Sequence, residues 1–232
     1  MARSAQHDNR NSRTRGGPRS GDTGSDHGAV RMSVSIAGVL SSMAKGLSEQ
    51  AAAGTASGRL AVVASAAQAA RDAATCYWYL IHKSGVDRAA HLCHSGLRHA
   101  ETAERRLERL PAPARADQRA MAADERWIAL HAELDAPYLA RAAALAQELL
   151  DAAYPDPARR EAAALALHAA RDLLTYALTA TAQEGADPQQ LSAGRCRLEK
   201  LRDLLHSLGA VPAADWRNSA HSEPTEQTGT GE

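Results

Sequence analysis

The stretch from Cys76 to His99, CYWYLIHKSGVDRAAHLCHSGLRH, gathers Cys76 and Cys93, the histidines His82, His91, His94 and His99, and the aromatic run Tyr77, Trp78 and Tyr79. Thiols and imidazoles at this density could ligate a metal, and histidine beside acid could move protons. His91 and His94 are one helical turn apart and are the natural first pair of a zinc site. A zinc ion wants three or four ligands, so His82 or Cys76 would have to join them from a neighbouring element. Counted at about 100° per residue from the apolar stripe of their helix, His91, His94 and His99 all fall on the polar side. That arc, with Arg98 among them, argues against a converging ligand set. No cofactor is expected, and a metal-binding bundle built on His91 and His94 stands as an alternative.

The cysteines fail the disulfide test for a similar reason. Cys76 and Cys93 lie at equal distances from the Ser84-Gly85 turn, but Cys93 sits in the seam of its helix whereas Cys76 points away from the seam of its own. Three cysteines in all, with Cys196 the third, and no CxxC spacing speak for a reducing compartment, and the cytoplasm is the expected location. His131 with Asp135 and His168 with Asp172 are the spacings at which an acid could orient a base, though such pairs are common on solvated helix faces. GxSxG, HExxH, a glycine-rich phosphate loop and paired ExxH motifs are all missing from the sequence. No catalytic residue is assigned.

The elements that carry these residues are helices. Ile36, Leu40, Met43 and Leu47 recur at helical spacing after Met32, a possible translation start, and GTASG closes that helix. In the second, Leu60, Val63, Ala67, Ala70, Ala74, Tyr77 and Ile81 alternate steps of three and four, a packing seam of small residues. The turn through Gly85 leads to a third with Val86, Ala90, Cys93, Leu97, Ala100, Leu107 and Leu110 on one face, so residues 59–110 form an αα-hairpin. PAPARAD (111–117) is a stiff connector ending on Asp117 as an N-cap.

Beyond it, Ala123, Trp127, Leu130 and Leu134 mark a fourth helix that Asp135-Ala136-Pro137 ends. The fifth bears two apolar stripes, Tyr138, Ala142, Leu145, Leu149 and Leu139, Ala143, Ala146, Leu150, and should be central in the second half. A sixth runs from Pro155-Asp156-Pro157 to about Glu184, and a seventh from Asp187-Pro188 to Gly209. The fold expected is all-α with about seven helices: a tail over 1–31, a three-helix layer over 32–110, a four-helix layer over 117–209 packed with it, and a tail over 210–232. Both tails lack periodicity and read as disordered.

Composition bounds the function. Alanine dominates the hydrophobic 44%, phenylalanine is absent and aromatics are 3%, so the core is thin and association with a protein partner or a second copy would complete it. The 27 basic and 27 acidic residues cancel, which gives no global field toward nucleic acid or anionic lipid. No window is long and apolar enough to span a membrane. The N-terminal tail holds Arg3, Arg10, Arg13, Arg15, Arg19 and Arg31, and Arg10, Arg13, Arg15 and Arg19 could touch phosphates without sequence preference, so a nucleic-acid accessory role is a second alternative.

The leading expectation is a non-catalytic helical interaction protein. The second helix ends in CYWYLI, apolar all round. Cys76, Trp78, Tyr79 and Leu80 are therefore the candidate partner-binding residues, covered either by the chain's own second half or by another protein.

Overall fold

The computed structural model describes residues 23–53, 58–82, 85–110, 123–154, 156–180 and 186–210. They form six helices: α1 (Thr23–Ala53), α2 (Gly58–His82), α3 (Val86–Glu108), α4 (Ala123–Ala153), α5 (Pro157–Thr179) and α6 (Pro188–Ser207). Among the described residues the fold is all-α, packed as one helical bundle.

Six helices rather than seven follow from Pro137. It lies within α4 rather than between two helices, and it is exposed. A proline on the solvent side of a helix forfeits one backbone hydrogen bond and leaves the orphaned carbonyl to water, so the helix continues through it. At the other end α1 starts at Thr23, so residues 23–31, read as tail, are helical. Gly24 and Gly28 lower helix propensity without forbidding it, and buried Ser33, facing the Tyr77 hydroxyl, extends the packed face of α1 toward its start. The rest of both tails, GTASG up to Ser57 and the PAPARAD connector lie outside the described residues.

Caps fix the second-half helices as their sequences imply. The Asp156 carboxylate accepts from the backbone N–H of Ala158 and Arg159 ahead of Pro157, and Asp187 accepts from Gln189 N–H at 2.9 Å ahead of Pro188. Gly209, at φ 87°, closes α6 in the left-handed conformation, and Ala210 N–H returns to the Leu205 carbonyl.

Two three-helix layers face each other: α2 lies between α1 and α3, α5 between α4 and α6, and α2 packs on α5, α1 on α4 and α3 on α6. The central helix of the second half is thus α5, not α4. Of the two stripes on α4, Leu139, Ala143, Ala146 and Leu150 are buried, whereas Tyr138 and Leu145 on the other are 51% and 41% exposed. Alanines line α2 and α5 so densely that the axes can approach closely, and the bulk comes from Leu40, Leu60, Leu80, Leu167, Leu173, Leu174 and Tyr77.

The two central helices share a short sequence. Ala69-Ala70-Arg71-Asp72 with Thr75 on α2 recurs one hundred positions later as Ala169-Ala170-Arg171-Asp172 with Thr175 on α5. Facing helices run antiparallel: Cys93 and Glu104 of α3 meet Leu198 and Arg195 of α6, and the start of α5 by Tyr154 lies at the end of α2 by Ile81.

Candidate functional site

The most heavily charged features of the interior are the two aspartates of that repeat, each on a central helix and each met by the third helix of its own layer. Asp172 is 8% exposed. Its Oδ1 accepts from Arg171 Nε and Nη2 at 3.0 and 2.8 Å, and its Oδ2 from Arg197 Nε of α6 at 2.7 Å. Two guanidinium groups on one carboxylate satisfy both oxygens with charge-assisted bonds.

Asp72, 7% exposed, is held more sparsely. Oδ1 accepts from Gln68 Nε2 at 3.1 Å, and His99 Nε2 of α3 stands 3.9 Å from Oδ2. That oxygen is buried and lacks a hydrogen-bond partner. Burial raises the Asp72 pKa above its ordinary value, opposed by the Ser95 hydroxyl, the bond from Gln68 and the nearby charges of His99 and Arg71.

Each third helix approaches its central helix at a glycine. Gly96 of α3 lies against the Asp72 side chain and the Ala69 carbonyl, and Gly194 of α6 lies against Leu173. His99 and Arg197 stand three residues beyond those glycines, hence at equivalent positions of the two third helices.

His168, whose spacing from Asp172 could have suited a base and its orienting acid, is not set against Asp172, whose oxygens are taken by arginine. Its Nε2 pairs with Gln147 Oε1 of α4 at 3.1 Å, and its Nδ1 is buried without a partner. Burial lowers its pKa, the charges of Arg171 and Arg197 add to that, and Asp172 opposes it. This is a neutral imidazole in a packed seam rather than a base oriented by an acid. For the His131–Asp135 pair, His131 lies outside the residues whose side chains are described.

His91 and His94 are exposed on the outer side of α3. Among the described residues no three or more His, Cys, Asp or Glu side chains come together in a way that could hold a metal. The zinc alternative therefore has no converging ligand set there. Both cysteines of the opening stretch are free thiols inside the bundle, pointing to different helices: Cys76 Sγ donates to the Ala89 carbonyl of α3, and Cys93 Sγ to the Leu198 carbonyl of α6. Burial pushes the Cys76 thiol well up and the Cys93 thiol up to about 12, which makes neither a ready nucleophile.

CYWYLI is covered largely by its own chain. Cys76 and Leu80 are buried, so a partner could reach neither without opening the bundle, and the Tyr154 hydroxyl donates to the Ile81 carbonyl. Trp78 and Tyr79 stay half-buried, stacked edge to face at 4.8 Å, with His82 tilted against Trp78. The physical reason is α3: the side of α2 carrying Ser65, Asp72 and Cys76, opposite the small-residue seam, is the side on which α3 packs, with Arg106 Nη1 donating to Ser65 Oγ and the Ala61 carbonyl.

Arg10, Arg13, Arg15 and Arg19 lie outside the described residues. Among the described residues no helix is long and apolar enough to cross a membrane. The chain matches no protein-family model, no curated protein and no solved structure.

The repeated AARD was the signal that sequence reasoning missed. An aspartate amid alanines on a central stripe, occurring twice with the same flanking residues, marks a buried ion pair more directly than the histidine cluster did.

Proposed function

We propose that this chain is a non-catalytic helical interaction protein that pairs with a second copy of itself through the outer face of α4. The observation that supports this reading is the stripe Tyr138, Ala142, Leu145, Leu149, on which Tyr138 and Leu145 are 51% and 41% exposed although the helix's other stripe is fully packed. Its alternating steps of four and three are the seam into which another helix packs. Arg141 and Glu148 are exposed, two turns apart along the outer border of the stripe. An antiparallel second α4 would set the Arg141 of each copy against the Glu148 of the other, the self-complementarity a two-fold contact requires. A core this rich in alanine gains from such added burial.

Light scattering on the full chain tests it. The expected result is a dimer at about 100 μM that the double substitution Tyr138→Glu, Leu145→Glu converts to a folded monomer. Arg141→Glu weakens the dimer and added Glu148→Arg restores it. A wild-type chain that is strictly monomeric at that concentration overturns the proposal.

A further inference from the structure

The two Asp-centred ties occupy equivalent places in the two layers, yet they differ in what completes them. The α5–α6 tie uses Arg171 and Arg197, whose guanidinium groups stay charged at every pH a protein meets. The α2–α3 tie offers an imidazole where the other offers a guanidinium, and an imidazole changes charge between about pH 5 and 8. We propose that Asp72 and His99 form a proton-operated latch that fastens α3 to α2 when His99 is charged and slackens when it is neutral.

Every group facing the pair is consistent with this. From α2 the neighbours of Asp72 are Gln68 and Arg71, and from α3 they are Ser95 and His99. On the far side α6 brings apolar Leu198 to Gly96, while its Arg195 is engaged with Glu104 of α3 and Glu199 of its own helix. Arg202 and Asp203 of α6 act on Cys93 instead. Arg71 acts on Asp72 by charge, and it is His99 that stands at Oδ2. A neutral His99 therefore leaves that buried, unbonded oxygen without the cation that stands 3.9 Å from it, which makes its ionised form costly.

The direction follows by linkage. Burial favours the protonated carboxyl of Asp72 in the folded chain, so its contribution is fully present below its unfolded pKa and is lost as pH rises through the raised folded value. A charged His99 beside Oδ2 offsets the buried carboxylate and a neutral one does not, which acts in the same direction on the α2–α3 junction.

Urea unfolding of the full chain between about pH 5.5 and about pH 8 tests the latch. Relative to His99→Arg, the wild-type unfolding constant should rise by about fivefold across this range, the size expected of one partly solvated ion pair. His99→Gln should resemble the wild type at about pH 8 and lack its gain in stability at about pH 5.5. Asp72→Asn, added to the wild type and to the His99→Arg chain, should abolish the difference between them. Identical pH profiles for the wild type, His99→Arg and His99→Gln overturn the proposal. Should Asp72→Asn fail to fold, the two His99 variants alone decide, as His99 is only half-buried.

Discussion

The first and second layers set the same residue, an aspartate after Ala-Ala-Arg, at the middle of a central helix, and then treat it differently. In the second layer two arginines close on Asp172 at 2.7 to 3.0 Å and both oxygens are bonded. In the first, Asp72 has one buried oxygen with no hydrogen bond and a histidine at 3.9 Å. The glycines through which the third helices approach differ as well. A Cβ on Gly194 would lie 2.6 Å from Leu173 Cγ, whereas one on Gly96 would meet nothing nearer than 3.4 Å. A layer joined by permanent charges and close contact is built to stay shut, and its counterpart with a titratable partner and looser contact is built to respond.

The largest effect expected is from Asp172→Ala, which leaves Arg171 and Arg197 facing each other over an apolar seam. Because both arginines are about a third exposed, water screens part of that, and a loss of about 2–3 kcal/mol by urea denaturation is expected. Asp72→Asn, which keeps a group able to bond Gln68, should change stability by less than about 1 kcal/mol at about pH 8. Equal losses at the two positions would break the comparison.

The glycines provide the next contrast. Gly194→Ala drives a methyl against the fully buried Leu173 and should cost about 1–2 kcal/mol in thermal unfolding, even after the gain in helix propensity. Gly96→Ala meets ordinary van der Waals neighbours and should be neutral or stabilise by up to about 1 kcal/mol in the same assay. A destabilised Gly96→Ala chain would mean that the first layer is as tightly joined as the second.

The smallest predicted effect concerns His168. Its folded pKa is lowered, so its contribution is present above the unfolded value and lost as pH falls through the acid side of the imidazole range, opposite in sign to the Asp72–His99 tie. His168→Gln should flatten that acid-side decline, by about 1 kcal/mol or less, and leave the alkaline side unchanged. A His168→Gln chain that loses its alkaline slope instead would show that the responsive tie lies in the wrong layer.

Much of the frame was legible because alanine and leucine periodicity, the Asp-Pro caps and the glycine stops act locally. The hairpin over 59–110 and the starts of the last two helices followed from those signals alone. Pro137 was misleading because its penalty depends on which side faces water, and Thr23–Arg31 because its residues carry no apolar repeat although α1 begins at Thr23. The site was harder to see. Histidines crowd Cys76–His99, but which of them meets a buried acid depends on how α3 lies across α2, and it is His99 that stands beside Asp72. Cys76 points away from the small-residue seam of α2, but α3 packs on that side, so the face opposite the seam is interior as well.

Amide hydrogen exchange followed helix by helix in the full chain, at about pH 6 and about pH 8 and corrected for intrinsic rates, compares the two ties within one molecule. The layers predict that the α3 amides around Gly96–Ala103 lose protection several-fold relative to those of α6 around Gly194–Leu201 at the higher pH. They also predict that His99→Arg removes the difference. Protection that changes equally in α3 and α6, or that still falls in α3 of the His99→Arg chain, would contradict the account.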